Sequence, residues 1–308
     1  MEGGNMNIIK DEDFRNYIAQ EERQSIRPAS DFVDEAMDIL VNGMSTTGDK
    51  MPWQKTHDLF RFRPGELTIW AGVNGNGKSL VMGQVALWIM RHSPVLIASM
   101  EMQPRQTIAR MLRQAAGKVV PEPEFAEEFK HITDMNLWIY DQTGTVKPDK
   151  IVGMIHWAAQ EKGIKHIMID SLVKCGVNQE SNEAQKSFVD TLAWAAKHYD
   201  IHIHLVNHMR KPSMAQKDFV PDKFSIKGAG EITDLADNVL IVHRNAEKKD
   251  AMMNGDPYAD EDPDGFIFCN KQRNGEWEGM FSFWWHEYSH QWIEEYHGKP
   301  MNWLDFSK

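Results

Sequence analysis

Two cysteines in 308 residues, Cys175 and Cys269, are too few for a disulfide framework or a cysteine-based zinc site, and their scarcity suits a reducing cytoplasm. No apolar run approaches the ~18–20 residues of a membrane span, and the polar N-terminus does not read as a signal peptide, so no membrane partner is expected. Basic charge is also short: 34 Lys and Arg against 45 Asp and Glu leave a net −11. A surface of that sign excludes binding nucleic acid over the whole protein, and leaves only local basic loops to do so. There is no internal repeat and no low-complexity tract. The length admits one large α/β domain with an extension, or two small domains.

Against this plain background one stretch stands out. Leu67–Ala71 is a short apolar run with β-branched Thr68 and Ile69, which suits a buried strand. It leads into Gly72-Val-Asn74-Gly75-Asn76-Gly77-Lys78-Ser79, a complete G-x-x-x-x-G-K-[ST] match, and then into an apolar helical pattern over 80–90. Glycines at 72, 75 and 77 permit backbone torsions that turn successive N–H groups onto a phosphate. The helix N-terminus adds partial positive charge. Lys78 is suited to the β/γ-phosphates and the Ser79 hydroxyl to Mg²⁺. A glycine-rich turn that merely happens to carry Lys-Ser lacks this strand and helix context.

Residues 1–28 are polar and charge-rich and read as an extension or a lone exposed helix. Ser30 is placed to cap a helix over 31–43, on which Phe32, Val33, Ala36, Met37, Leu40 and Met44 form one apolar stripe. That stripe either packs on its own domain or docks on a neighbouring subunit, and the Gly43–Asp49 separator favours the second. The expected organisation is an extension (1–28), a linker helix (29–50) and an α/β core (51–308). Strands are expected at 94–100, 137–140, 164–170, 201–207, 240–243 and 266–270, with a closing hairpin of 281–285 and 291–293. Helices are expected at 105–116, 149–161 and 188–198, and 117–135 reads as a surface excursion. Strands alternating with helices imply a mainly parallel sheet covered on both faces.

Ligands of such sheets sit beyond the carboxyl ends of the strands, and three ends carry suitable chemistry. Asp170 is placed to hold Mg²⁺, Glu101 to orient and deprotonate a water, and His208 to sense a γ-phosphate. Histidines 198, 202, 204 and 208 are close enough to suggest a metal site, but no Cys or carboxylate completes a pattern, so packed or hydrogen-bonded roles are expected.

These motifs together resemble the RecA-type hexameric replicative helicases, most nearly the helicase half of phage primase–helicases and of Twinkle, and more distantly DnaB. Ser99-Met-Glu101-Met resembles the motif with the catalytic base, and Ile167-Met-Ile-Asp170-Ser171 resembles Walker B. Leu205–Pro212 resembles the third motif with His208 at the sensor position, and Ser225–Asn238 resembles the fourth. His243-Arg244-Asn245 resembles an arginine-finger tail, and Lys271-Gln-Arg273 resembles a Lys/Arg finger pair. The resemblance covers about 30–295. It implies a RecA-like core, an N-terminal linker helix, ATP or dTTP with Mg²⁺, and a homo-hexamer. In that ring Arg244, Lys271 and Arg273 would reach a neighbour's γ-phosphate. A rough alignment puts Phe283 against the nucleotide base.

The same resemblance implies single-stranded DNA in a central channel, gripped by loops at 173–186 and 209–227. In the second loop Arg210, Lys211, Lys217, Lys223 and Lys227 outnumber Asp218 and Asp222, the focused basic patch that the overall charge demands. Lys227 stands where the phage relatives carry arginine, so a bidentate phosphate contact is not available there. The expected role is an ATP-dependent DNA helicase of replication in a bacterial or phage-infected cell, working at the fork with a separate primase and polymerase. Two other readings stay open: a filament-forming recombination or repair ATPase, and a nucleotide-gated assembly switch that binds proteins instead of DNA.

Overall fold

The computed structural model describes residues 27–42, 47–209, 222, 225–226, 229–256 and 259–303. Two compact units divide the chain, 1–46 and 47–308. In the first, a 3₁₀ turn over Ala29–Phe32 leads into helix α1, Val33–Asn42. Its apolar residues Val33, Met37, Leu40 and Val41 are all exposed, and Met44 of the expected stripe lies outside the described residues.

The second unit is a sheet of nine described strands in the order β3-β2-β4-β5-β1-β6-β7-β8-β9. The strands are β1 Leu67–Ala71, β2 Val95–Ser99, β3 Leu137–Ile139, β4 His166–Asp170, β5 His202–Val206, β6 Asn238–Arg244, β7 Gly265–Gln272, β8 Gly279–His286 and β9 Gln291–Ile293. The first six in spatial order pair in parallel, and β7 to β9 close the sheet antiparallel. Helices α2 (Lys78–Ile89), α3 (Pro104–Ala116), α4 (Pro123–Thr133), α5 (Pro148–Lys162), α6 (Asn182–Tyr199), α7 (Ala229–Leu235) and α8 (Ala246–Met253) complete it. Strands β1, β2, β4 and β5 are buried at every position, and they are mostly apolar, with His166, His202 and His204 among the buried polar exceptions. The pleat sends Leu67, Ile69 and Ala71 into one core and Trp70 into the other.

Several elements differ from the sequence reading. The excursion at 117–135 contains α4, which Pro123 opens at its first turn. Helix α6 starts at Asn182, earlier than its apolar spacing suggests, because the Ser181 hydroxyl accepts from Ala184 N at 3.1 Å. Helices α7 and α8 are short and carry no clear apolar stripe. The core begins at Thr47, ahead of residue 51, because Asp49 pairs with Phe62 and is tied into the sheet.

That tie is a buried polar chain. Trp70 Nε1 donates to His204 Nδ1 at 3.2 Å, which leaves Nε2 of the neutral ring to donate to His166 Nδ1 at 3.1 Å. His166 Nε2 then donates to Asp49 Oδ2 at 2.9 Å. Beside it His202 Nδ1 donates to the Arg63 carbonyl and Nε2 accepts from Thr68 at 2.8 Å. With neutral rings, His202 and His204 satisfy both of their ring nitrogens. Burial is the main cause that pushes His202 down to about 3 and His204 well below the ordinary histidine range, and the neighbouring imidazoles add to it.

The folded state therefore keeps both rings neutral, whereas the unfolded chain protonates them below about pH 6.5. Stability should be intact above that pH and fall toward pH 3, by about 1.4 kcal/mol per pH unit for each ring. Urea unfolding at a series of pH values checks this: His204→Gln should be less stable than the parent at pH 7.5 yet lose stability less steeply in acid. Parallel pH profiles would contradict it.

Candidate functional site

The sheet delivers its chemistry at the carboxyl ends of β1, β2, β4 and β5. After β1 the chain turns through 72–77 and enters α2 at Lys78, with Gly77 left-handed at φ 89°. Gly72 is required for another reason: a Cβ there would lie 2.5 Å from the Val242 carbonyl of β6. Asn76 Nδ2 donates to that carbonyl at 3.3 Å, so β6 holds the loop in shape. Lys78 Nζ donates to the carbonyls of Gly72 at 2.8 Å and Val73 at 3.2 Å. Burial pushes its ammonium below the ordinary lysine range, opposed by Asp170 and Glu101.

Asp170, the last residue of β4, is buried and accepts from Ser79 Oγ at 2.6 Å. Burial raises its carboxyl, opposed first by that hydrogen bond, while Glu101 raises it further. The donor set, a hydroxyl and a carboxylate side by side at the cleft, fits a hard divalent cation such as Mg²⁺. Glu101, two residues beyond β2, has Oε1 at 2.8 Å from Ser171 Oγ and 3.6 Å from His208 Nε2. With Asn74, Gly75 and Gly77, these residues line one open cleft of ≈ 1070 Å³. So Gly75, Gly77, Lys78, Ser79, Glu101, Asp170 and His208 come together as the sequence reading expected.

The same cleft contains residues that reading passed over. Gln103, which caps α3, lines the cleft with Gln106 and Arg110 of that helix, at i, i+3 and i+7 spacing, and Arg110 adds positive charge near Asp170. Lys174, which the sequence reading put in the DNA-gripping loop 173–186, instead enters this cleft from the turn after β4. Only the i, i+3, i+7 spacing after Glu101 could have announced the first group.

Two expectations are corrected. Phe283 is fully buried, with its ring 4.5 Å from Trp53, 5.7 Å from Trp292 and 4.5 Å from the Lys55 ammonium, so it is a core residue and has no face for a base. Trp285, two residues on along β8, lines a small cavity with Gly75, Asn76, Gly77, Arg244, Asp264 and Trp292. The core ends between the two positions, and that leaves Trp285 facing the loop. Arg244 accordingly borders its own chain's phosphate loop at the carboxyl end of β6, and does not stand with Lys271 and Arg273.

Lys271 and Arg273 sit at the opposite end of the sheet, where antiparallel β7 runs back to Asn238. Lys271 Nζ donates to the carbonyls of Thr233 and Asp234 at the end of α7, where a cation suits the helix dipole. Arg273 donates to the Asp234 carbonyl and pairs with Asp237 at 2.9 Å. The seven residues of β6 separate this pair from the cleft by roughly 20 Å at ~3.3 Å per residue, so it does not serve its own loop.

The five cations expected on DNA, Arg210, Lys211, Lys217, Lys223 and Lys227, lie outside the described residues. The roots of their segment are described. Met209 and Ile226 are buried and form an antiparallel bridge, and Met209 N donates to the Gly72 carbonyl at 3.2 Å. The other expected loop, 173–186, ends inside α6 because the helix begins at Asn182, and Lys186 pairs there with Glu231 at 3.6 Å.

Phosphate loop, the adjoining hydroxyl–carboxylate pair, the Glu101 carboxylate and sheet order define a RecA-like P-loop nucleotidase core. The family model of the DnaB-like helicase C terminal domain matches residues 57–291, and the chain belongs to that family. The chain is 21% identical over 218 residues to the Twinkle homolog protein, chloroplastic/mitochondrial, of Arabidopsis thaliana. That match takes in 64% of this chain and 30% of the relative, so the chain spans about a third of the relative's length. Its fold is that of a DnaB-like replicative helicase solved for its interactions with primase (TM-score 0.67, 15% identity, 87% of this chain and 67% of that one). A second solved structure, of an isolated ATPase domain, shares the fold over nearly its whole length (TM-score 0.68, 16% identity, 85% and 98%).

The two aromatic positions separate in experiment. Phe283→Ala should cost about 3–5 kcal/mol of stability as a core truncation. Trp285→Ala should leave unfolding almost unchanged and weaken nucleotide binding by about tenfold, in line with ~1–3 kcal/mol for an aromatic under a base. Titration with a fluorescent nucleotide checks both, and unchanged affinity in Trp285→Ala would remove it from the base site.

Proposed function

We propose that this chain is the motor of a replicative DNA helicase, a homo-hexameric ring that hydrolyses ATP or dTTP with Mg²⁺ and moves along single-stranded DNA. The observation that carries the reading is the double use of the Gly72 carbonyl, which accepts both from Lys78 of the phosphate loop and from Met209 at the root of the basic segment. Nucleotide and DNA-binding segment thereby share one backbone anchor.

The N–H groups of 74–79 and the Lys78 ammonium bind and neutralise the phosphates of the substrate. Ser79 and Asp170 would hold Mg²⁺, which neutralises charge on the β- and γ-oxygens when bound. Glu101 orients the attacking water and takes its proton, while His208 stands at the γ-phosphate side of the cleft. Lys271 and Arg273, set too far from their own loop, reach the neighbour's γ-phosphate and make hydrolysis depend on assembly. The exposed apolar face of α1 docks on an adjacent subunit and closes the ring. The five cations of 210–227 track DNA phosphates without reading bases, and a primase and a polymerase act as separate partners at the fork.

Steady-state hydrolysis with and without single-stranded DNA, at low and moderate salt, is the direct test. DNA should stimulate turnover, and stimulation should fade as salt rises. Glu101→Gln should bind nucleotide and assemble yet lose about 10²–10⁴ in turnover. Basal hydrolysis that ignores DNA at every salt would instead support the protein-binding switch.

A further inference from the structure

Ser171 is fully buried directly after Asp170, and neither phosphate nor metal binding accounts for it. Its hydroxyl donates to Glu101 Oε1 at 2.8 Å and lies 3.4 Å from His208 Nε2. Glu101 and His208 are themselves 3.6 Å apart, an ion-pair distance that is too long for a hydrogen bond, so the serine is the hydrogen-bonding group between them. A hydroxyl has one proton to give and lone pairs to accept with. Donated to the carboxylate, that proton leaves the oxygen free to accept from His208 Nε2–H.

Glu101 needs such a partner. Its side chain is 38% exposed and turns about three single bonds, while the water it must meet has one productive position. Among the described residues, Ser171 and His208 are the hydrogen-bond and ion-pair partners of its carboxylate. Ser171 by contrast is fully buried, one residue past the end of β4, which lies between β2 and β5.

We propose that Ser171 is a positioning residue for hydrolysis, which fixes the rotamer of the Glu101 carboxylate and links it to His208 through one shared hydroxyl. The proposal rests on Glu101 being the base. It places the connection between γ-phosphate side and base in a side chain that neither binds the nucleotide nor touches the water.

A double-mutant cycle on the full chain tests it, using Ser171→Ala, Glu101→Gln and the double variant, with single-turnover hydrolysis and nucleotide Kd as readouts. Ser171→Ala should lower the rate about 10–100-fold, the loss typical of a misplaced catalytic group, with Kd changed less than about threefold. In the Glu101→Gln background the same substitution should cost nothing further, because the group it positions is gone. Ser171→Cys keeps the volume and weakens the donor, so it should lose rate in the same direction without a packing change. A parental rate in Ser171→Ala or Ser171→Cys overturns the proposal. So does an equal loss in both backgrounds, or a tenfold loss of affinity, which would put the effect on Asp170. Full turnover in Glu101→Gln alone would instead remove Glu101 as the base.

Discussion

The clasp at the carboxyl end of β1 is the constraint on which the rest depends. Within a few ångströms, the Gly72 carbonyl receives the Lys78 ammonium and the Met209 amide, and its Cα packs against the Val242 carbonyl with no room for a side chain. Strands β5, β1 and β6 lie side by side in the sheet, so the loop touches the ends of all three. None of these contacts is strong alone; a typical internal hydrogen bond contributes about 1 kcal/mol. Their value is geometric. A shift of the phosphate loop must move Met209 or break its bond, and Met209 is paired with Ile226 at the other root of the basic segment.

Sheet polarity imposes a second constraint. Parallel strands gather Lys78, Asp170, Glu101 and His208 at one end, while β7, running antiparallel, carries Lys271 and Arg273 back to the other. Bonds to the end of α7 and to Asp237 hold those cations there. A single chain thus has its phosphate loop and Glu101 at one end of the sheet and oriented cations at the other, and a head-to-tail repeat of the unit, as in the ring proposed above, would bring the two ends together.

Much of this was legible because local rules and tertiary demands agreed. The phosphate loop was readable since glycine, lysine and serine at fixed spacing between a strand and a helix have few other uses, and the buried strands were readable as short, mainly apolar runs. What was not legible depends on pairing. Phe283 and Trp285 are both aromatic and lie on the same face of β8, and only the position of the core edge says which one meets the loop. Arg244 and Arg273 look alike in sequence, but the direction of their strands puts them at opposite ends. The hydrogen-bonded roles expected for His202 and His204 of β5 hold, but only the register of the strands brings in His166 of β4 and carries the chain on to Asp49.

The electrostatics of the cleft argue that the site is built around charges supplied from outside. Burial drives Lys78 and Asp170 toward neutrality from opposite sides, and each is the other's counter-charge only in part. A closed ion pair between them would remove that tension, yet Lys78 is turned onto backbone carbonyls and Asp170 onto the Ser79 hydroxyl. A triphosphate beside the ammonium and a divalent cation beside the carboxylate each favour the ionised form of the group they meet. Those ligands would favour the charged forms of both groups, at the spot where the loop is fastened to Met209. Ser171 and His208 stand next to that spot without bearing either charge, so they can respond to the ligand while the charged pair holds it.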